Sequence, residues 1–262
     1  HINLTIFHFG APMKRNLYRN LESMLLATVI ASSASVALAQ TPAKRSFNLP
    51  PSADLNYAIN ANQRGLPLNG TAIIHWKTDK ATYSITTETK AMLLGKILEA
   101  KSEGTVDAFG LAPSTSTEKR YRKDPTTVTF NRDAKTITFS ASDANYPIKG
   151  GEQDRNSIVW QLATIARSTP NKFKTGASIP VTVVGQKDAD AWVFKVNKAE
   201  KIKTANGDLN TVKVSRVIKD GDNGQKLDIW FAPSMEWYPA RVRITEPEGD
   251  FIEQTLTKVD PV

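Results

Sequence analysis

The residue best suited to proton transfer in this sequence is His75, which lies in a strand-like run from Ala72 to Lys77. Histidine titrates near neutral pH and serves as a general base or a proton relay. A general base needs an orienting partner within hydrogen-bond reach, and none is recognisable close to His75 in the sequence. We therefore favour a half-exposed strand histidine over a catalytic one.

Pairs of carboxylates are the second possible source of chemistry, because glycoside hydrolysis requires only two of them. Glu152 and Asp154 precede a predicted helix, and Asp154 is placed to cap that helix with its oxygen atoms. A second acidic group spans a turn near the C-terminus, where acidic side chains are ordinarily solvated: Glu246, Glu248, Asp250 and Glu253. Structural use of these acids is favoured. The alternative function is a carbohydrate-active enzyme that uses a carboxylate pair, assisted by Tyr121, Tyr238 or His75.

A ligand-binding set is predicted from two places in the sequence. Gln153, Asp154 and Arg155 lie at the entrance of the predicted helix, and strand alternation gathers a second group on one sheet face: Asp228, Trp230, Arg241 and Arg243. Tryptophan and arginine stack on sugars or bind acidic groups through forked donors. An ordinary solvent face with cross-strand ion pairs has the same composition and is favoured for the second group alone. The two groups together are the first ligand site to test.

The sequence indicates no catalytic residue, no metal site and no cofactor. It contains no cysteine and three histidines, of which His1 and His8 precede the predicted leader cleavage. Thiol nucleophiles, Cys-ligated metals and multi-histidine metal sites are thereby excluded. The nucleophile elbow, the phosphate loop, the dinucleotide fingerprint and the His-Glu-x-x-His helix are also missing.

These side chains must be positioned by short strands and a single helix. Residues 127–130 and 136–139 alternate with period two around a turn and predict a hairpin, and similar alternation recurs at 192–196, 227–231 and 241–245. Only the segment from about Asp154 to Arg167 has helical character, and it is apolar nearly all round, which predicts burial. The expected fold is mainly β: a single antiparallel β-roll or barrel-like curved sheet packed on one buried helix.

The first 39 residues read as an export leader rather than as part of the fold. Residues 1–12 are interpreted as an over-extended start, and the segment from Met13 to Ala39 has the basic start, apolar core and small-residue site of a secretory signal peptide. Cleavage after about Ala39 leaves 223 of the 262 residues and lowers the net charge from +8 to +6, since the leader carries three basic residues and one acidic residue. Residues 40–52 form a polar arm, and residues 53–262 a single β-rich periplasmic domain.

The remaining charge gives limited information about partners. Lysines and arginines are dispersed among acidic residues, which argues against nucleic acid. No lipid-facing apolar band follows the strands, so an integral membrane protein is not expected. Envelope polysaccharide or lipid remains the expected partner, while the oligomeric state and the role of the basic stretch from Lys119 to Lys123 stay open.

Nine segments, in this order and spacing, resemble the exported proteobacterial family catalogued as domain of unknown function 3108: residues 49–55, 64–67, 110–113, 128–130, 153–155, 190–194, 227–233, 238–244 and 249–251. The resemblance implies a periplasmic, mostly antiparallel β-roll or barrel. It implies no established reaction or ligand, and no catalytic residue to transfer. The expected function is therefore a non-enzymatic periplasmic β-protein that binds, or supports the handling of, a lipid-like or polysaccharide envelope component.

Overall fold

The computed structural model describes residues 46–79, 81–221 and 224–262. The predicted signal peptide, the residues before it and residues 40–45 of the polar arm lie outside the described residues. Within the described part, the rest of the arm has no regular secondary structure but is held by the domain. The Trp76 indole donates to the carbonyl of Pro50 at 2.9 Å, and the Tyr238 hydroxyl donates to that of Pro51 at 2.8 Å.

The first half of the domain is an antiparallel meander of eight strands, each paired with the next. The strands are β1 Ala53–Gln63, β2 Leu66–Thr78, β3 Thr82–Ala91, β4 Gly95–Asp107, β5 Gly110–Arg120, β6 Thr126–Asn131, β7 Thr136–Phe139 and β8 Asn145–Pro147. The predicted hairpin is confirmed by β6 and β7, whose turn holds Lys135 at a φ of 53°.

The second half contains the helix and seven further strands. Its elements are β9 Gln153–Asp154, α1 Ser157–Ser168, β10 Ser178–Val184, β11 Ala189–Thr204, β12 Gly207–Arg216, β13 Lys226–Ala232, β14 Tyr238–Thr245 and β15 Phe251–Pro261. Strand β15 pairs with β1, so both halves join into one sheet that runs from β8 through β1 and β15 to β9. All pairs are antiparallel except β9 with β10.

The sheet is rolled but is not closed by a strand ladder. The predicted mainly-β curved sheet packed on one helix is confirmed, in its open form. Its two edge strands, β8 and β9, are very short, which limits edge-to-edge pairing with other molecules. Side chains bring the two halves together: Val184 of β10 packs into a cluster with Val128, Phe130 and Ile137. The Thr126 hydroxyl also donates to Gln186 Oε1 at 2.6 Å.

Helix α1 lies against the concave face and fills much of the roll. Its Trp160 ring stacks on Trp76 of β2, with centroids 4.4 Å apart, and meets Tyr238 of β14 edge-on at 6.2 Å. These contacts reach strands on both sides of the β1–β15 junction, so the helix fixes the curvature. The prediction of a buried helix is confirmed, although the helix begins at Ser157 rather than at Asp154 and ends one residue later than expected.

Gln161 of α1 forms a second anchor, between the helix and the β4–β5 turn. The Gln161 amide donates to the carbonyl of Phe109 at 2.7 Å and its oxygen accepts the N–H of Leu111 at 2.8 Å. Gly110 between them has a φ of +109°, and a Cβ there would lie 2.4 Å from Gln161 Oε1. The turn therefore requires glycine for two reasons, its backbone conformation and the close approach of the helix.

The strands that the sequence pattern did not single out are β5, β8, β9, β10 and β15. In β5 the inward positions include Ser116 and Glu118, so the apolar alternation that marks a half-buried strand is missing. Strand β15 alternates only weakly, because most of its residues are partly buried on both faces. Tertiary pairing defines these strands where local composition does not.

Candidate functional site

A cavity of about 170 Å³ lies between α1 and the concave face of the sheet, near the start of the helix. Its apolar lining comes from six strands and from the helix and includes Ile59, Ile74, Ile85, Leu98, Val159, Val242, Ile244 and Ile252. These residues occupy inward positions, because cross-strand partners share a face of the sheet. Val242, for example, is paired with Ile229, which is fully buried in the same cluster as Leu162 of α1. The space is thus an apolar pocket inside the roll.

Arg155 borders this cavity and also borders a second, more polar groove of about 570 Å³. Its exposed guanidinium donates to Gln225 Oε1 at 2.7 Å. Arg216 donates to the backbone carbonyl of Gln225 at 2.8 Å, and both guanidinium groups lie over the ring of Trp192, at 3.9 Å for Arg216 and 5.5 Å for Arg155. Two cations therefore converge at Gln225, beside the apolar cavity.

The polar groove is lined by cations and anions from the end of β5, from the β5–β6 and β10–β11 turns and from the segment before α1. Its basic residues besides Arg155 are Arg120, Lys123 and Lys187, and its acidic residues are Glu118, Asp124 and Asp188. Glu118 forms an ion pair with Arg120. The basic stretch of unknown role thus contributes two residues to the groove.

Asp154 is completely buried and belongs to a chain of hydrogen bonds under the helix. Its Oδ1 accepts the N–H groups of Asn156 and Ser157 at 2.8 and 2.9 Å. Its Oδ2 accepts the hydroxyl of Ser102 of β4 at 2.5 Å. Since the Ser102 proton is used there, the Tyr83 hydroxyl, 3.0 Å away, donates to Ser102. Asp154 ties the helix entrance to β3 and β4.

Burial controls the electrostatics of this chain. Loss of solvation raises the pKa of Asp154 above its ordinary value, and the hydrogen bonds from Ser102, Ser157 and Asn156 counter only part of that effect. Burial also raises the pKa of Tyr83, with a smaller contribution from the Asp154 charge. The predicted capping role is seen in altered form: Asp154 binds the first N–H groups, whereas the N-cap residue is Asn156, whose side chain makes no cap bond.

The other two residues before the helix also bind the protein itself. Gln153 is buried, and its amide donates to the carbonyl of Leu111 at 2.6 Å. Glu152 is buried as well, and accepts the backbone N–H groups of Lys149 and Gly150. Of the three predicted helix-entrance residues, only Arg155 is exposed.

The predicted sheet face exists, but on the outside of the roll. Register pairs Asp228 with Arg243 and Trp230 with Arg241, so the four residues share one face as predicted. That face is opposite to the one carrying Ile229 and Val242, which faces α1. The structure therefore places this group on the convex face of the sheet, while the helix-entrance group lies on the concave face.

Contacts within the convex face engage each of its members. Trp230 is only 6% exposed, donates its indole N–H to Glu200 at 2.6 Å, and lies under Lys213 and Arg241. Arg241 donates to Thr255 and to the carbonyl of Lys203, and Arg243 pairs with Glu253 at 3.2 Å. Asp228 accepts the Ser215 hydroxyl at 2.5 Å. This arrangement is the cross-strand network of an ordinary sheet face.

Comparison with known proteins assigns the chain to a family. The model of a family of proteins of unknown function, DUF3108, matches residues 55–257. The chain belongs to the DUF3108 family. The family indicated by the residue pattern is thus confirmed, and the match covers every strand from β2 to β14 together with α1.

Other comparisons with this DUF3108 protein are distant. No curated protein matches its sequence. Similar solved structures include a DUF1329 family protein from Desulfovibrio piger ATCC 29098, which is 8% identical, with 81% of this chain and 86% of the other covered and a TM-score of 0.31. At this TM-score the resemblance carries no argument about function.

His75 of the DUF3108 chain has a partner that sequence inspection missed. Its Nδ1 lies 2.6 Å from Asp54 Oδ1, because β1 and β2 place the two residues directly opposite each other. The pair is partly exposed on the convex face. The two residues are 21 positions apart, so no local sequence motif indicates that they meet. A β1–β2 hairpin with its turn at residues 64–65 does place them opposite each other.

The acidic residues considered for a carboxylate pair are engaged in several separate places. Glu246 accepts the Gln225 amide, Asp250 accepts the backbone N–H of Arg64, and Glu253 pairs with Arg241 and Arg243. Glu248 is exposed on the turn. Among the described residues, no cluster of three or more His, Cys, Asp or Glu side chains is arranged to hold a metal ion. In the same residues, no helix has the length and apolar character needed to span a bilayer.

Proposed function

We propose that this protein is an exported, non-enzymatic binding protein for an anionic amphiphile of the cell envelope, working in the periplasm as its predicted leader implies. The observation that carries the proposal is an apolar cavity inside the roll with Arg155 at its border. A ligand for such a site needs an apolar chain and, next to it, a negatively charged group.

The lining of the cavity supports a lipid-like ligand over a polysaccharide. The lining is mainly aliphatic, and aliphatic side chains offer neither the flat ring on which sugars stack nor hydrogen-bond partners for hydroxyl groups. The polar side chains among the described lining residues are those of Thr87, Thr89, Arg155, Asn156 and Gln254. Sugar stacking would require an accessible aromatic face at the cavity, and the aromatic ring among its described lining residues, that of Trp160, is only 1% exposed. The cavity is smaller than typical ligand pockets, which are about 300–1,000 Å³, and fits part of an acyl chain.

The border of the cavity supports a negatively charged headgroup. Arg155 and Arg216 converge at Gln225, and Arg120 and Lys123 line the adjoining groove. A guanidinium binds a carboxylate or phosphate through two parallel hydrogen bonds, which fixes the orientation of the ligand. The headgroup would lie in the polar groove and the chain in the apolar cavity.

The non-enzymatic part of the proposal is supported by the roles of the buried polar residues. Glu152, Gln153 and Asp154 each bind backbone groups of the protein. The carboxylates of Glu152 and Asp154 accept backbone N–H groups of the loop before the helix and of the helix entrance, and the Gln153 amide donates to Leu111 of β5.

The test is calorimetric titration of the exported, processed protein with straight-chain alkanoates of increasing length and with the matching alkanols. If the chain enters the cavity, affinity rises about fourfold for each added methylene until the cavity is filled, and then levels off. Arg155→Gln should weaken alkanoate binding about tenfold, because a charged hydrogen bond is lost, and should leave alkanol binding unchanged. Lys172→Gln, an exposed cation beyond the far end of the helix, is the control.

Filling the cavity provides a separate test of the apolar half. Val159→Phe places a ring in the cavity and should abolish binding of both ligand series. Ile165→Phe enlarges a partly buried residue on the same helix that does not line the cavity, and should bind normally. Affinity that is independent of chain length, or that survives Val159→Phe in a folded protein, would refute the proposal.

A further inference from the structure

The end of the roll near the start of α1 carries apolar side chains in contact with water. In the β3–β4 turn, Met92, Leu93 and Leu94 have relative exposures of 67%, 103% and 46%. Leu66, the first residue of β2 after the β1–β2 turn, is 67% exposed, and Tyr121 of the β5–β6 turn is 40% exposed. Neighbouring exposed apolar groups mark a surface that binds a partner or a membrane.

These three turns are neighbours at one end of the sheet. The order β6-β5-β4-β3-β2-β1 places them side by side, with about 10 Å between successive tips at the usual strand spacing. Backbone hydrogen bonds join the turns to the adjoining strands. The N–H of Met92 donates to the carbonyl of Asn69 at 2.9 Å, and the N–H of Tyr121 donates to that of Ile97 at 2.8 Å. We name this surface the apolar rim; it consists of residues 64–66, 92–94 and 121–123.

Leu93 has no structural reason to be leucine. Its φ is +70°, a region that favours glycine and disfavours residues with a Cβ. Its side chain is fully exposed and so gains nothing from burial in the domain. A large apolar side chain held in a disfavoured conformation at the tip of a turn points to a role outside the folded chain.

The charges around the apolar rim are mostly positive. Residues 63–66, 90–96 and 119–124 contain seven lysines or arginines and one aspartate. Lys96 pairs with Glu88 and Glu99, but within the described part of the chain Arg122 and Lys123 form no ion pair with a carboxylate. The next turn along the sheet, residues 245–251, is acidic and bounds the positive region on that side.

The apolar rim stands over the cavity. Thr89 and Leu98, which are paired across β3 and β4, both line it, and the β3–β4 turn continues directly from that pair. The apolar rim and the cavity therefore lie at the same end of the roll.

We infer that the apolar rim docks this protein onto an anionic lipid surface. Narrow hairpin tips with exposed Leu and Met suit insertion at the acyl boundary, while adjoining arginine and lysine side chains meet the headgroups. A rigid protein partner would instead be matched by a broad complementary face. The inference goes beyond binding of a single amphiphile, since it concerns the bilayer that supplies or receives such a molecule.

The test is co-sedimentation of the exported, processed protein with vesicles of phosphatidylcholine alone and of phosphatidylcholine with phosphatidylglycerol. Binding is expected only to the anionic vesicles and should weaken with added salt. Leu93→Gly should reduce binding at least about tenfold, because the inserted side chain is lost, without unfolding a residue that favours glycine. Val262→Ser, which removes an exposed apolar side chain at the opposite end, should have no effect.

Charge is tested by Arg122→Gln with Lys123→Gln, which should weaken vesicle binding about fivefold for each cation removed. The matched control is Lys77→Gln with Lys174→Gln, two exposed lysines at the opposite end. Equal binding to both vesicle types, unchanged binding of Leu93→Gly, or no vesicle binding would overturn the inference. The inference would also be overturned if sedimentation velocity showed that the wild-type protein self-associates and the Leu93→Gly variant does not. The apolar rim would then be a contact with a second copy of the chain. Alkanoate titration of the same variant separates this result from the proposed function.

Discussion

At the scale of single residues, Asp154 is a buried carboxylate that holds the helix entrance in place, although its position before the helix made it a candidate catalytic acid. Its two oxygen atoms accept two backbone N–H groups and one hydroxyl. Asp154→Ala would leave those donors buried and unpaired and is expected to destabilise the fold by about 2–4 kcal/mol. Asp154→Asn keeps one acceptor and is expected to be milder. Urea unfolding of both variants measures the difference.

The pH dependence of the same site has a definite sign. The folded-state pKa of Asp154 is raised by burial, so the folded protein holds this proton more tightly than the unfolded chain does. The resulting stability is fully present below the unfolded pKa of about 4 and is lost as pH rises through the folded pKa. Asp154→Asn should therefore gain stability relative to wild type as pH rises through that window.

Asp79 provides a control of opposite sign for that measurement. The backbone N–H groups of Thr82 and Ala81 lower the pKa of this exposed carboxylate. Its contribution to stability is present above the unfolded pKa and is lost as pH falls through the folded one. Asp79→Asn should lose stability relative to wild type as pH rises. If the stability of both variants relative to wild type changed in the same direction with pH, the raised folded-state pKa of Asp154 would be contradicted.

At the scale of elements, the helix is held in the roll by polar as well as apolar contacts. Gln161→Leu preserves the side-chain volume but removes both hydrogen bonds to the β4–β5 turn. The buried Leu111 N–H, left unpaired, should destabilise the protein by about 1–3 kcal/mol, and the part-buried Phe109 carbonyl should add less. Chemical denaturation compares this variant with Gln63→Leu, which alters an exposed glutamine at a strand end. Equal effects of the two would mean that the Gln161 bonds contribute nothing.

The two faces of the sheet divide the predicted ligand set. Alternation along β13 and β14 correctly places Asp228, Trp230, Arg241 and Arg243 together. It cannot tell which face lies toward the helix, because that depends on how the sheet curls. Curling toward α1 buries Ile229 and Val242 inside and turns the charged face outward. Of the predicted ligand-binding residues, only Arg155 borders the cavity on the concave face. The other charged residues near it, such as Lys123 and Lys187, come from turns that are distant in the sequence.

At the scale of the whole molecule, export is the prediction that governs compartment and partners. The leader from Met13 to Ala39 predicts cleavage after about Ala39, so the protein recovered after export should begin at Gln40. N-terminal sequencing together with the intact mass, on protein from the periplasmic fraction of a bacterial host, checks this. A product retaining Met13 in the cytoplasmic fraction would contradict both the leader and the proposed compartment.

The sequence by itself determined the class of fold, the one α-helix of the described residues, most of the strands and the family. These properties depend on local periodicity, turn residues and the order of short motifs, which act over a few residues at a time. The hairpin of β6 and β7 and the buried helix after Asp154 are both of this kind. Strands such as β5 escaped because their inward residues are polar and gain their burial from neighbours.

Only the tertiary structure decided where the candidate site lies. The cavity requires residues from β1 to β4, β14, β15 and α1 to meet, and the cations at Gln225 come from segments about 60 residues apart. The partner of His75, the outward direction of Trp230 and the alignment of three turns into the apolar rim follow from sheet register and curvature. These depend on packing between distant segments, whose free energy is set by the whole sheet rather than by any local pattern of residues.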